Sequence, residues 1–371
     1  MLEVLFWLCA GLLIYAQAGY GLLLRCIAIF RKRSDPSSSD TSRLPAVSLV
    51  VAAHAEEGVI AEKVRNAKAL DYPGELEVIV ACDGSPDATA ARAREAGADV
   101  VLELPRGGKI RAQDQAVERA RGAIVAFGDA NALWEPEALR ELVAPFADPA
   151  VGYVCGQVAF VNDEGTNQEG LYWRYELWLR GLESRLASVT GGNGAIYATR
   201  REDYIVVDPI MGHDLSFPFN MVKRGRRAVY APAARATEKM VPTVEGEFAR
   251  KRRMMSHMWP IVLRGGLLSP RGYSPLYALM ILSHRILRYG APFLHLAALG
   301  LNVALLGDGV VYTVTLALQA AVLLAAAPPV RLRAFLVARY YVLTNASIAL
   351  GLVDWLRSGT PAHWAPPEGT R

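Results

Sequence analysis

Residues 122–131 read GAIVAFGDAN, an apolar run that ends in an acidic turn. The glycine-bounded run 124–127 is typical of a short strand buried on both faces of a parallel α/β sheet. Ligands of such sheets bind beyond the carboxyl ends of the strands, where Asp129 lies. Asp129 and Asn131 both carry oxygen, which Mg²⁺ and Mn²⁺ prefer, so they form a candidate metal site. An Asx turn that merely ends the strand explains the same residues.

The segments before this run alternate between strands and helices. Strands are predicted over 47–53, 77–81 and 100–103, and helices up to about residue 70 and over 88–96 and 110–121. This alternation indicates βαβ units and a mostly parallel sheet. Acidic residues follow three strand ends: Glu56 with Glu57, Asp83, and Asp129. Because right-handed crossovers bring such loops to one sheet edge, the sequence predicts a carboxylate-rich site there.

A cation precedes one of the predicted helices. Gly107-Gly108-Lys109 combines a flexible turn with a positive charge, which suits contact with a phosphate. The chain has neither G-x-G-x-x-G nor G-x-x-x-x-G-K-[ST], so dinucleotide and P-loop sites are not supported. The 4 cysteines and 6 histidines are scattered, which gives no disulfide or zinc pattern.

The chain is 52% apolar, and the apolar residues are concentrated towards both ends. Segment 2–30 is long enough to cross a bilayer core of about 30 Å, and no A-x-A cleavage site closes it. The basic residues 31–33 predict that the chain emerges on the cytoplasmic side. Further spans are predicted over 291–306, 310–326 and 335–356. The last carries charged residues, so an interfacial position is the alternative for it.

These patterns divide the chain into segments. The predicted order is a transmembrane helix with its basic flank (1–33), a linker (34–44), a cytoplasmic α/β domain (45–247), interfacial helices (248–290), about three transmembrane helices (291–357) and a tail (358–371). The net charge is +4, and basic residues cluster near the predicted membrane ends. That distribution suits anionic membrane lipids and not nucleic acid.

Four motifs follow one another along the domain: AHAEE at 53–57, CDGSPD at 82–87, RGGK at 106–109 and GDAN at 128–131. In this order and spacing they resemble the inverting family-2 glycosyltransferases, and most closely the membrane-bound, cellulose-synthase-like branch. The resemblance covers nearly the whole chain. It implies a GT-A fold, a Rossmann-like α/β domain with a mostly parallel sheet, joined to transmembrane helices.

The resemblance also implies roles for the motif residues. Ala53, Glu56 and Asp83 would line the nucleotide site, with the two acids on the base or ribose. Lys109 would lie near the phosphates, and Asp129 would open the metal motif. Asn131 replaces the second Asp of the common D-x-D, which predicts weaker metal binding. His54, where the family usually has Asn, is expected to be a half-buried, hydrogen-bonded loop residue.

Downstream motifs match the family's donor and acceptor sites. The glycine-rich segment 190–197, with Gly192, would line the donor-sugar pocket, where glycine lets the backbone approach a ligand. Asp214 would be the general base that deprotonates the acceptor hydroxyl; a helix N-cap is the alternative. Its neighbour His213 stands where relatives carry an acid, and either tunes the base or is tolerated.

A basic segment closes the domain. Arg250, Arg253 and Met254 form R-x-x-R-M where processive relatives have Q-x-x-R-W. The two arginines are assigned to the donor, with Arg253 on the diphosphate; an interfacial basic helix is the alternative. The missing Trp puts processivity in doubt. Four aromatic residues on the helix 169–185 indicate core packing or, alternatively, an acceptor platform.

The sequence therefore predicts a multi-pass cell-membrane enzyme with a cytoplasmic catalytic domain. Using Mg²⁺ or Mn²⁺, it would transfer sugar from a nucleotide-sugar donor, a UDP-sugar, to a hydroxyl of a lipid-linked or growing glycan acceptor. A processive polysaccharide synthase that secretes its product is one alternative. A catalytically dead membrane scaffold is another, disfavoured because Asp83, Asp129 and Asp214 are all present. A transporter is not supported, since no repeated halves occur.

Overall fold

The computed structural model describes residues 1–30, 44–161, 170–239, 244–327 and 333–362. Its strands are β1 (Val47–Ala53), β2 (Leu76–Asp83), β3 (Val100–Leu104), β4 (Ile124–Asp129), β5 (Leu133–Trp134), β6 (Val151–Val161), β7 (Ile196–Arg200) and β8 (Arg227–Lys239). Its α-helices are α1 (Leu2–Ile14), α2 (Tyr20–Phe30), α3 (Ile60–Lys68), α4 (Thr89–Glu95), α5 (Lys109–Arg119), α6 (Ala138–Val143), α7 (Leu171–Leu186), α8 (His213–Lys223), α9 (Val244–Leu263), α10 (Pro275–Met280), α11 (Leu287–Ala304), α12 (Val310–Ala326) and α13 (Arg333–Ser358). Two π-helical segments, Tyr15–Gly19 and Ile281–Ile286, join α1 to α2 and α10 to α11.

The eight strands form one sheet in the order β3-β2-β1-β4-β7-β6-β8-β5. The four predicted strands β1 to β4 are all parallel, as the βαβ pattern indicates. The second half of the sheet was not predicted, and it is mixed. There β7 runs antiparallel to β4 and to β6, and β8 is parallel to β6. The predicted α/β fold class is confirmed.

Both faces of the first four strands are buried, which explains their continuous apolar runs. Leu49 pairs with Val78 and Ala126 in register, and all three pack into one core cluster. The next row, Val50 with Ile79 and Phe127, packs into the cluster on the opposite face. Successive side chains alternate between faces with the period of two expected for a strand.

The register also aligns the ends of the strands. Ala53 pairs with Cys82, and Ala52 pairs with Asp129. Asp83, the last residue of β2, pairs with Leu104 at the end of β3. The loops that carry the sequence motifs therefore leave the sheet along one edge, as predicted.

Two helices are long and apolar enough to cross a membrane, judged by length and composition alone: Leu2–Phe30 and Phe335–Ser358. Val310–Ala326 is a shorter apolar helix. The predicted span 291–306 would be short unless it began in a preceding helix, and it does continue a helical run that begins at Pro275 and ends at Ala304. The basic residues 31–33, which set the predicted orientation, lie outside the described residues, so the orientation remains a prediction.

The last apolar helix packs against α7 and α9. Tyr340, near its start, lies with its ring centroid 6.1 Å from that of Tyr172 on α7. Asp354, near its end, accepts two hydrogen bonds of 2.6 Å from Arg252 on α9. Beyond the helix, Thr360 Oγ1 donates to the carbonyl of Ser256 at 2.9 Å. Helix α13 therefore contacts α7 near its start and α9 near its end.

Candidate active site

Asp83 anchors the glycine loop that follows β3. Its carboxylate accepts hydrogen bonds from the amides of Gly107 (2.6 Å) and Gly108 (3.0 Å) and from Arg106 Nη1 (3.0 Å). Gly108 has a φ of 95°, a conformation that favours glycine. The carboxylate of Asp83, which was predicted to contact the ribose or the base, is only 4% exposed. It already accepts the hydrogen bonds that hold the loop.

The other residues assigned to the nucleotide lie at the end of β1. Ala53 is 3% exposed, so it presents backbone rather than side chain. Glu56 is buried, and its amide donates to Thr89 Oγ1 at 2.9 Å. His54 Nδ1 lies 2.8 Å from the carbonyl oxygen of Asp83, which agrees with the expected hydrogen-bonded loop residue. These residues lie beside the loop that Asp83 holds.

The Lys109 ammonium contacts Asp129 Oδ1 at the centre of the site. Burial alone would lower the pKa of Lys109, but Asp129, Asp214 and Glu238 together outweigh that effect and raise it above its usual value. The glycine-rich segment lies directly on this ion pair. A Cβ added to Gly194 would stand 3.4 Å from Lys109 Nζ and 3.8 Å from Asp129 Oδ2. The structure therefore brings together the RGGK, GDAN and glycine-rich motifs.

Asp214 joins the same site. Its carbonyl oxygen accepts a hydrogen bond of 2.7 Å from the amide of Gly192, and its charge contributes to the raised pKa of Lys109. The N-cap of α8 is Gly212, so the alternative role of Asp214 as N-cap is wrong. Among the described residues, its carboxylate makes no hydrogen bond. The Asp214 carboxylate therefore has acceptor oxygens that no hydrogen bond from the described residues occupies.

The His213 ring is buried among aromatic side chains. Its ring is 2% exposed and stacks on Phe217 with centroids 4.0 Å apart, and Nδ1 lies 2.8 Å from Tyr197 Oη. Burial, assisted by Lys109, lowers the pKa of His213 well below its usual value. The imidazole is therefore neutral at physiological pH.

Lys63 is a site residue that the sequence interpretation missed. It is fully buried on α3, donates to the carbonyl of Ala132 at 2.5 Å, and lies 4.9 Å from the Trp134 ring centroid. Burial lowers the pKa of Lys63 to about 7, although Asp129 and Glu238 oppose the shift. The signal was its position on the buried face of α3, among Ile60, Val64 and Ala67.

The two arginines of the basic segment differ. Arg250 makes two hydrogen bonds of 2.8 Å to Glu247 in its own helix. The pKa of Arg253 is lowered by burial and by the neighbouring Arg250. One turn further, His257 Nδ1 lies 3.0 Å from the carbonyl of Ile210, just before the helix of Asp214. The segment that carries Arg253 thus packs against the loop leading to Asp214.

The aromatic stripe on α7 serves mainly packing. Trp173 Nε1 donates to the carbonyl of Val158 at 3.3 Å. Tyr175 and Trp178 press against Gly21 of α2, where an added Cβ would lie 2.7 and 2.8 Å from them. Tyr172 is 44% exposed and is the member that faces another exposed ring. Packing contacts therefore account for Trp173 and Tyr175, whereas Tyr172 and Trp178 stay 44% and 36% exposed.

Asp129 and Asn131 fit a cation that arrives with a ligand. Among the described residues, no three or more His, Cys, Asp or Glu side chains are grouped to hold a metal ion. The pair therefore supplies at most two protein ligands. Mg²⁺ is usually bound by one or two carboxylates together with substrate phosphates. The donor set suits such a shared site and not a preformed protein cage.

Comparisons with known proteins identify the family. Residues 48–205 match the model of glycosyl transferase family 2. An N-acetylglucosaminyltransferase from Rhizobium leguminosarum bv. trifolii is 31% identical over 166 residues, which cover 40% of this chain and 91% of that protein. A beta-monoglucosyldiacylglycerol synthase from Synechocystis is 29% identical, covering 52% of this chain and 42% of that protein.

An N-acetylglucosaminyltransferase from Mesorhizobium japonicum is 27% identical over 59% of this chain and 56% of its own length. The chain thus spans about half the length of these longer curated relatives. Among solved structures, the mannosyltransferase PcManGT from Pyrobaculum calidifontis, in complex with GDP-Man and Mn²⁺, superposes with a TM-score of 0.76. It is 22% identical, with 96% of this chain and 99% of that chain covered, which shows a shared fold. The chain belongs to glycosyl transferase family 2 and has the GT-A fold.

Proposed function

We propose that this protein is a membrane-anchored, inverting glycosyltransferase that transfers a sugar from a nucleotide diphosphate sugar to a hydroxyl of a lipid-linked or growing glycan acceptor. The observation that carries the proposal is the convergence of Lys109, Asp129, Gly194 and Asp214 on one sheet edge. It combines charges for a diphosphate with a carboxylate that is available as a base.

On the donor side, Lys109 has a raised pKa and stays protonated at neutral pH, so it offers a positive charge to phosphate oxygens. Gly192 and Gly194 let the loop backbone approach the sugar. We assign Ala53, Glu56 and Asp83 to the nucleoside, and Arg253 to the diphosphate. The nucleotide complex of the mannosyltransferase with the same fold supports a nucleotide-sugar donor.

Asp129 and Asn131 would hold Mg²⁺ or Mn²⁺ together with the diphosphate. When bound, the cation supplies positive charge that stabilises the departing diphosphate. The structural neighbour was solved with Mn²⁺, which supports a divalent cation here. Because Asn131 is neutral, this chain has one carboxylate in the pair where D-x-D has two.

On the acceptor side, Asp214 would accept the proton of the attacking hydroxyl. A positioned general base typically contributes about 10²–10⁴-fold in rate. Burial keeps His213 neutral, so it adds no positive charge that would weaken the neighbouring base. The Asp214 carboxylate makes no hydrogen bond to the described residues, so no such bond has to break before it takes the proton.

The membrane assignment rests on the apolar helices. Leu2–Phe30 is a candidate span, and α12 is a shorter apolar helix beside it. We propose a multi-pass arrangement in the cell membrane with the catalytic domain in the cytoplasm and α13 at the interface. The glucosyldiacylglycerol synthase among the relatives supports a lipid acceptor. Met254, in place of Trp, favours single additions over processive synthesis.

A donor screen tests this function. The full chain in detergent or nanodiscs is incubated with UDP- and GDP-sugars, with Mn²⁺, Mg²⁺ or chelator, and nucleotide release and product length are measured. We expect metal-dependent turnover of one donor class, with short products in the presence of lipid extract. Long polymer would favour the processive alternative, and nucleotide binding or turnover with none of the donors would favour the scaffold.

A further inference from the structure

A chain of hydrogen bonds connects the N-terminal helix to the helix that carries Asp214. Tyr20 Oη donates to Glu183 Oε1 on α7 at 2.6 Å. The other carboxylate oxygen of Glu183 accepts from the amide (3.1 Å) and the hydroxyl (3.0 Å) of Thr190. Two residues further, the amide of Gly192 donates to the carbonyl of Asp214 at 2.7 Å. These hydrogen bonds join four separate parts of the sequence.

The middle of this series of hydrogen bonds is buried and carries a charge. Tyr20, Glu183 and Thr190 are each 0% exposed. Burial opposes ionisation of Glu183, but His284 and Arg285 more than offset it and lower its pKa to about 2. Glu183 is therefore a carboxylate at neutral pH. A buried carboxylate needs hydrogen-bond donors in defined positions, so each donor that it holds is held firmly.

The loop is also held from its other side. Arg285 Nε donates to the carbonyl (3.2 Å) and hydroxyl (3.0 Å) oxygens of Thr190. Arg180 Nη2 donates to the carbonyl of Gly192 at 3.2 Å. A Cβ at Gly191 would overlap the Arg285 guanidinium. Movement of this loop therefore requires several buried polar groups to lose their partners together.

We propose that Tyr20 and Glu183 are positioning residues for the transfer reaction. They hold the loop 190–194, and through Gly192 they hold Asp214, in the geometry that the reaction requires. This inference rests on the proposed role of Asp214 as the base. Neither residue touches the reacting groups; each acts through Thr190. The N-terminal helix is then a working part of the catalytic unit as well as an anchor.

The far end of the loop lies at the groups assigned to the donor. Gly194 lies against Lys109 and Asp129, only two residues beyond Gly192. A loop that loosens at Thr190 would therefore disturb both the carboxylate that takes the proton and the surface on which the sugar lies. Proximity effects make rates sensitive to such small displacements, even when ligands still bind.

Tyr20→Phe is the test variant, with Tyr15→Phe as its matched control. The first substitution removes only the hydroxyl, so it keeps the ring in its packed position and leaves Glu183 with its other donors. Tyr15 is in the same N-terminal helix, and its hydroxyl lies 2.9 Å from Ser283 Oγ. That hydrogen bond also ties the helix to the rest of the protein, but it does not reach loop 190–194.

Two measurements are made on both variants and on wild type in nanodiscs. The first is hydrogen exchange of the peptide that covers residues 190–194, and the second is kcat and KM with the sugar nucleotide that wild type turns over fastest. In Tyr20→Phe we expect about fivefold faster exchange, the factor for one lost hydrogen bond, and a similar fall in kcat with the donor KM within about twofold. Tyr15→Phe should leave exchange and kcat unchanged, although its melting temperature falls by a similar amount.

Unchanged exchange in Tyr20→Phe would overturn the proposal, as would faster exchange with wild-type kcat. Equal effects in Tyr15→Phe would also overturn it, because they would indicate a general loss of helix docking. Asp214→Asn separates this proposal from the assignment of the base. If that variant kept wild-type kcat, the base would be misassigned, whereas the exchange difference between the two Tyr variants would still decide the link to the loop.

Discussion

The amide of Gly192 donates to the carbonyl of Asp214 at 2.7 Å. This bond joins the glycine-rich loop to the first turn of α8, so the two segments form one unit. At its other end the loop reaches the Lys109–Asp129 pair through Gly194. The groups assigned to the donor and to the acceptor therefore share one support, and changes in the loop should affect both halves of the reaction.

Gly192→Ala tests this shared support. A Cβ at this position would overlap Tyr153 Oη, so the loop must shift and carry Asp214 with it. We expect a loss of about 1–3 kcal/mol in stability, as for overpacked cores, together with the loss of most transfer activity. Gly181→Ala on α7 is the control, since an added Cβ there meets nothing within 4 Å. Similar behaviour of the two variants in thermal unfolding and turnover would contradict the account.

The metal pair gives a second prediction. Asp129→Ala removes the charged ligand and the partner of Lys109, so donor binding and turnover should both fall. Asn131→Asp adds a carboxylate, so the Mn²⁺ concentration for half-maximal turnover should fall. Asp208→Ala, at an exposed residue of the loop before α8, serves as the control. Full activity of Asp129→Ala in chelator-treated membranes would show that the metal assignment is wrong.

Lys63 predicts a pH-dependent stability. Its pKa in the folded protein is about 7, below the usual 10.5, because burial disfavours the ammonium. Between these values the unfolded chain binds more protons than the folded one, so stability rises with pH from about 7 to 10.5. The slope from one such group is at most about 1.4 kcal/mol per pH unit.

Lys63→Met should remove this rise. The difference in the free energy of unfolding between wild type and variant should therefore change between pH 6.5 and about 9. Thermal unfolding across this range, in one buffer series, gives the comparison. Parallel pH profiles for the two proteins would mean that Lys63 keeps an ordinary pKa in the folded state.

Orientation in the membrane gives a fourth prediction. Cys82 and Cys155 are buried, so we expect no reaction with maleimides. New cysteines are therefore needed, in a background that lacks Cys9 and Cys26. Glu95→Cys, on the exposed end of α4, should resist an impermeant maleimide in intact cells because the proposed orientation places this domain in the cytoplasm. Asp308→Cys, in the exposed turn before α12, should be labelled. The reverse pattern would sink the predicted orientation.

The sequence predicted the first half of the sheet because its signals are local. The apolar runs 47–53 and 124–127 are buried on both faces, and each is followed by an acidic loop. Strands β6 and β8 were not predicted, since their pairing joins residues far apart in the chain and their apolar runs are broken by polar residues. The antiparallel placement of β7 between β4 and β6 is likewise a tertiary result.

The site was predicted unevenly for similar reasons. Asp129, Lys109 and Asp214 belong to short motifs, and the structure brings them together. Lys63 was overlooked because a lysine on an amphipathic helix is normally solvated. The Tyr20–Glu183–Thr190 connection has no local pattern, because each member comes from a different segment. Such buried polar contacts become visible only when the helices are packed.

The central claim is that Asp214 is the general base. Asp214→Asn keeps the shape of the side chain but cannot take the proton. We expect nucleotide binding and melting temperature near those of wild type, and a transfer rate lower by about two or more orders of magnitude. Asp208→Asn, in the same loop region, should transfer normally. Measuring all three quantities on one preparation is the most direct test: a transfer rate near that of wild type in Asp214→Asn would contradict the claim.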